Sequence, residues 1–68
     1  MNLKLKICRI KKGLSQVELA RMIGVTNQTI SDYERGNSKP SYDNMAKLSK
    51  ALDSKVDELF FDEEFQQE

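Results

Sequence analysis

The chain has 68 residues, with one cysteine, no histidine, and 11 lysines and arginines against 11 aspartates and glutamates. That length allows one domain, whose core supplies a net stability of ~3–5 kcal/mol. One thiol without histidine builds neither an internal disulfide nor a zinc site, and no apolar run nears the ~20 residues that cross a membrane.

Met1-Asn2-Leu3-Lys4-Leu5-Lys6 lacks the apolar block and cleavage site of a secretory signal, so a reducing cytosol is expected. A first helix is predicted over residues 3–12, ending at Gly13. It carries two apolar stripes on nearly opposite faces: Leu5 and Cys8 with Met1 on one, Leu3, Ile7 and Ile10 on the other. Periodicity alone selects Leu3, Ile7 and Ile10, with Leu14, as the buried set. A helix apolar on both sides needs cover on both, from the C-terminal segment or from another subunit.

Ser15 can cap a second helix, with Glu18 three residues on completing a capping box. Leu19, Ala20 and Ile23 share one face of it, and Gly24 stands where the backbone must turn left-handed and reverse. Thr26 can cap a third helix over residues 27–35, closed by Gly36, with Ile30 and Tyr33 on its inner face. Two short helices joined by so tight a turn form a helix-turn-helix, a unit that usually reads DNA.

With Ile30 centred on the buried side of the third helix, Gln28, Ser31, Asp32 and Arg35 lie opposite, and Asn27 stands at the end that enters a groove first. Asn27 and Gln28 have side chains that pair bidentately with adenine, and Asp32 can accept from cytosine N4. Asn27, Gln28, Ser31 and Asp32 are therefore the expected base contacts, Ser31 the weakest of them. The competing reading is an ordinary polar helix face. Free N–H groups near Ser15 and Gln16 can receive a phosphate oxygen, and Arg35, Asn37, Ser38 and Lys39 form a polar, basic loop. With Thr29 and Gln16, these four are the expected backbone contacts, unless the loop is merely solvated. Pro40-Ser41 breaks the chain and caps a fourth helix carrying Met45, Leu48, Ala51 and Leu52; the ring of Tyr42 is expected to pack. A fifth helix follows Ser54, with Val56, Leu59 and Phe60, and Phe61 and Phe65 continue its apolar line.

Gln16, Leu19, Ala20, Gly24, Val25, Ile30, Tyr33 and Glu34-Arg35-Gly36 together resemble the lambda-repressor-like, Xre/Cro-type family. Lys12-Gly13-Leu14-Ser15, Lys39-Pro40-Ser41 and Val56-Asp57-Glu58-Leu59-Phe60 extend the likeness over residues 1–61, leaving 62–68 as an acidic tail. The resemblance implies an all-α, compact five-helix lambda-repressor-like DNA-binding domain. It also implies that Leu5 and Cys8, not the opposite stripe, face the core, which makes Cys8 a packing residue rather than a redox sensor. By the same resemblance Arg9 partners Glu34, a carboxylate only about 40° from Ile30 on the wheel. Gln16 is where the family touches the DNA backbone and braces the recognition helix, and similar proteins set the loop after that helix against phosphates. Asp53 departs from the usual glycine; aspartate tolerates the left-handed turn at some cost.

The zero net charge hides a split. Residues 1–55 hold all 11 bases and five acids, a balance of +6; residues 56–68 hold six acids and no base, a balance of −6. A basic body suits a phosphate-facing surface. The acidic end is either a solvated terminus or a device that repels non-specific DNA or meets a protein. No histidine, phosphate loop or activated serine supports catalysis, and no metal, cofactor or small-molecule ligand is called for. The expected function is a sequence-specific regulator, a repressor by default, that binds double-stranded DNA at a palindromic operator as a homodimer. Leu3, Ile7, Ile10, Phe60, Phe61 and Phe65 are its candidate dimer contacts. The alternative is an antitoxin-like or adaptor module whose Phe-and-acid tail captures a protein partner. Non-specific architectural binding is a third reading that the neutral overall charge disfavours.

Overall fold

The structure, a computed structural model, describes residues 2–60. Met1, Phe61, Phe65, the boundary after residue 61 and the whole acidic tail, 62–68, lie outside the described residues. Five helices follow in order: α1 (Leu3–Lys11), α2 (Gln16–Ile23), α3 (Asn27–Arg35), α4 (Tyr42–Leu52) and α5 (Val56–Phe60).

Each helix starts or stops where a local side chain satisfies free backbone groups. Asn2 caps α1, its side-chain oxygen accepting from the Leu5 N–H at 3.0 Å. Ser41 caps α4 in the same way, accepting from the Asn44 N–H at 3.2 Å. Asp53 ends α4 at φ 52°, ψ 44°, so aspartate does hold the left-handed turn there. Ahead of α5, the Lys55 N–H donates to the Glu58 carboxylate at 3.1 Å.

Every helix sends apolar side chains to one core: Leu5 from α1; Leu19, Ala20 and Ile23 from α2; Ile30 and Tyr33 from α3; Leu48 and Leu52 from α4; Leu59 from α5. Leu5, Leu19, Ile30, Leu48 and Leu52 are the largest fully buried side chains; burying each contributes roughly 1.5–3 kcal/mol. On α1 the stripe that periodicity alone prefers faces out, with Leu3, Ile7 and Ile10 55%, 46% and 56% exposed. Leu5 is instead buried, and half-buried Cys8 packs on the core, where it accepts from the Ser54 hydroxyl at 3.7 Å. Phe60 is half-buried and packs against the same core. Tyr42 corrects the sequence reading: its ring is 84% exposed rather than packed. At 100° per residue Tyr42 stands about 80° from Leu52 and about 120° from Leu48, the buried residues of α4, and so falls off its core side.

Candidate nucleic-acid interface

The start of α2 and its turn into α3 are built by short-range contacts. The Ser15 hydroxyl accepts from the Glu18 N–H at 3.0 Å, while the Glu18 carboxylate accepts from the Ser15 N–H at 2.8 Å. These hydrogen bonds, the backbone one first, hold the Glu18 carboxyl below its ordinary pKa. Gly24 ends α2 at φ 78°, a conformation that glycine adopts without a Cβ penalty. Thr26 then caps α3, accepting from the Thr29 N–H at 3.2 Å, and its hydroxyl lies 3.0 Å from that of Thr29. Gly36 closes α3 at φ 82°, and the N–H groups of Asn37 and Ser38 donate to the Asp32 carbonyl at 2.9 and 3.4 Å.

The inner side of α3 is clamped. Ile30 is fully buried, and Tyr33 and Glu34 are buried beside it. Arg9 of α1 donates to Glu34 twice, Nε to Oε2 at 2.6 Å and Nη2 to Oε1 at 3.3 Å, and its Nη1 donates to the Leu14 carbonyl at 2.8 Å. Gln16, the first residue of α2, donates its amide to Glu34 Oε1 at 3.0 Å. The Asn2 N–H reaches the Glu34 carbonyl at 3.0 Å. On the far side Asn44 of α4 donates to the Tyr33 hydroxyl at 3.2 Å. Helices α1, α2 and α4 and the chain start therefore all fix the pose of α3. A buried carboxylate with three donors is satisfied, which a lone one would not be.

The outer side carries the residues expected to meet DNA. Asn27 and Gln28 are exposed at the N-terminal end of α3, and Arg35 is exposed at its C-terminal end; Thr29, Ser31 and Asp32 are half-buried. Asn37, Ser38 and Lys39 are exposed in the following loop, and Gln16 is half-buried. Ser31, Arg35 and Gln16 line one shallow hollow with Leu3, Lys6 and Glu34, whereas Asn27 and Gln28 stand apart from it. Gln28 donates its amide to Asp32 Oδ1 at 3.1 Å across one turn.

Three features escaped the sequence reading. Asn2 sits one residue before α1, a cap signal that was legible; the Asn44–Tyr33 bond spans 11 residues and had none. Lys6, which lines the same hollow as Arg35, is one lysine among several on α1 and carries no mark in the sequence.

A short capped helix held firm on its inner side and polar on its outer side, directly after a tight turn from another helix, defines a helix-turn-helix protein of the DNA-binding class. The helix-turn-helix family model matches residues 5–59. An uncharacterised HTH-type transcriptional regulator of Archaeoglobus fulgidus is 35% identical over 65 residues, covering 94% of this chain and 92% of that protein. The c2 repressor of Salmonella phage P22, solved in complex with a synthetic operator, superposes with a TM-score of 0.81 at 37% identity, over 84% of this chain and 86% of the solved chain, while the match spans 27% of the full repressor's length. The restriction-modification controller protein C.AhdI of Aeromonas hydrophila gives 0.77 at 40% identity, over the same shares, 84% and 86%. The chain belongs to the lambda-repressor-like, Xre/Cro-type helix-turn-helix family, and it is a transcriptional regulator, not an enzyme.

Proposed function

We propose that this regulator is a repressor that reads a palindromic operator in double-stranded DNA as a homodimer, with α3 of each copy in the major groove and the two half-sites ~34 Å apart. The observation that carries the reading is the division of α3. Ile30 is fully buried while Asn27 and Gln28, at the end that enters a groove, are exposed. The P22 c2 repressor, of the same fold, is solved on a synthetic operator, which supports DNA as the ligand here. Asn27 and Gln28 read adenine edges with Ser31 beside them, and Asp32, bonded to the Gln28 amide, acts through it. Gln16, Thr29, Arg35, Asn37, Ser38 and Lys39 meet phosphates and set the register, since such contacts position the protein without specifying sequence. Residues 2–60 hold 11 bases and seven acids, a positive surplus that favours the approach to DNA. Leu3, Ile7 and Ile10 on α1, with Phe60 at the end of α5, offer apolar surface to the second copy.

The test is selection of bound duplexes from a random library at one fixed salt concentration, followed by binding of two variants. Gln28→Ala is expected to weaken the selected site by about 1–3 kcal/mol while leaving random DNA nearly unaffected. Lys39→Ala is expected to weaken both and to lower the salt slope by about one. Equal losses on both DNAs for Gln28→Ala would remove it from base readout, and a selected motif with a single half-site would rule out the dimer.

A further inference from the structure

The Gln28–Asp32 pair has a consequence for what α3 reads, and the inference rests on the operator-reading function proposed above. We propose that Asp32 is a positioning residue: it holds the Gln28 amide in one of its two orientations and so makes Gln28 selective for adenine.

The chemistry follows from the inventory of donors. A primary amide has a donor end and an acceptor end, and rotating it by half a turn exchanges them. An ionised carboxylate only accepts. Asp32 Oδ1, 3.1 Å from Gln28 Nε2, therefore pairs with the NH2 end and excludes the flipped amide, which would set two oxygens against each other. Among the described residues Asp32 is in no ion pair, so no cation competes with Gln28 for that oxygen. The backbone beneath is fixed as well, because the Asp32 carbonyl accepts from Asn37 and Ser38 at the end of α3.

Bidentate pairing with adenine requires the amide oxygen to accept from N6 while an N–H donates to N7. The NH2 group has two hydrogens. Asp32 takes one, and the other remains beside the free Oε1 as a matched donor–acceptor edge. A freely turning amide would offer its NH2 to guanine O6 or thymine O4, or its oxygen to cytosine N4, with less to separate them. With α3 in a groove, as proposed, the carboxylate's charge opposes binding to a polyanion of any sequence. Asp32 thus lowers general affinity while sharpening the choice of base, the pattern of a specificity element.

The experiment uses the full chain and the operator selected by the wild type. Binding is measured at fixed salt to the operator and to single-base-pair variants at every position, for the wild type, Gln28→Ala, Asp32→Ala, Asp32→Glu and the double variant Gln28→Ala/Asp32→Ala. The expected result is that Asp32→Ala reduces adenine preference about three- to tenfold, and only at the base pair where Gln28→Ala abolishes it. Affinity for random DNA stays equal or rises. Asp32→Glu restores most of the preference, and the double variant discriminates no worse than Gln28→Ala alone. Unchanged adenine preference in Asp32→Ala, or a loss confined to a different base pair, would overturn the positioning role and leave operator reading intact. Failure of the wild type to select any motif would overturn operator reading itself and this inference with it. Both side chains lie on the outer face, so unchanged thermal melts are expected, and they separate loss of readout from loss of fold.

Discussion

Removing Arg9 or Glu34 should cost nearly all of the stability this small domain has. The two side chains are only 10% and 5% exposed, and the pair is forked, with Nε and Nη2 meeting the two carboxylate oxygens. In Arg9→Ala the Glu34 carboxylate stays buried with the Gln16 amide as its one remaining side-chain donor, an uncompensated charge worth about 3–5 kcal/mol of destabilisation. In Glu34→Ala the guanidinium keeps its bond to the Leu14 carbonyl but loses both bonds to the carboxylate, with a cost in the same range. Set against a net stability of ~3–5 kcal/mol, either truncation leaves a chain largely unfolded at 25 °C. Glu34→Gln keeps an acceptor without the charge and falls between. Replacing both partners with apolar residues of similar volume, Arg9→Met with Glu34→Leu, removes the two desolvated charges together and should recover most of the lost stability. Thermal melts followed by far-ultraviolet circular dichroism report all four variants. For a domain this size 1 kcal/mol corresponds to roughly 4–8 °C, so a drop below about 5 °C in either alanine variant would refute the reasoning. So would a double replacement no more stable than the singles.

Asp53→Gly should raise stability by about 0.5–1 kcal/mol, because Asp53 sits at φ 52° and glycine adopts that conformation without penalty. The Lys12–Asp53 contact that it removes is 3.9 Å long and exposed, hence of little weight; a lower melting temperature in the variant would count against this account. Ser15→Ala should destabilise by about 1 kcal/mol through loss of the cap at the start of α2. Glu18, its carboxyl held below the ordinary value by the Ser15 hydrogen bonds, contributes stability above that ordinary value and loses it as the pH falls through its lower folded value. Melting temperatures of the wild type and Glu18→Gln should therefore converge as the solution is acidified, and a gap that widens would contradict the sign.

The turn region was legible because each of its signals is local. Ser15 with Glu18, Gly24, Thr26 and Gly36 act on backbone groups within a few residues of themselves, so sequence spacing alone locates them. Helix α1 was not legible in the same way. Its two stripes are equally periodic, and what decides between them is tertiary: Leu5 and Arg9 face the side where Ile30 and Glu34 lie, 25 residues along the chain for the ion pair. The family register supplied that choice, whereas periodicity would have buried Leu3, Ile7 and Ile10, which are among the most exposed apolar side chains. Tyr42, expected to pack, departs for a different reason: its spacing does not place it over the buried Leu48 and Leu52 of α4, and its ring lies exposed. The Gln28–Asp32 spacing is one that any wheel displays and the donor direction follows from amide and carboxylate chemistry, but that the two side chains meet at 3.1 Å required atomic positions.

The anchoring of α3 rests on Ile30, Tyr33 and Glu34, none of which points toward a groove. Asn27 and Gln28 take no part in it. Under the proposed readout, a duplicated copy can therefore exchange these two side chains singly and shift its target in small steps while every ancestor along the route still folds. Such a chain is well suited to give rise to many regulators with divergent addresses from one unchanged scaffold.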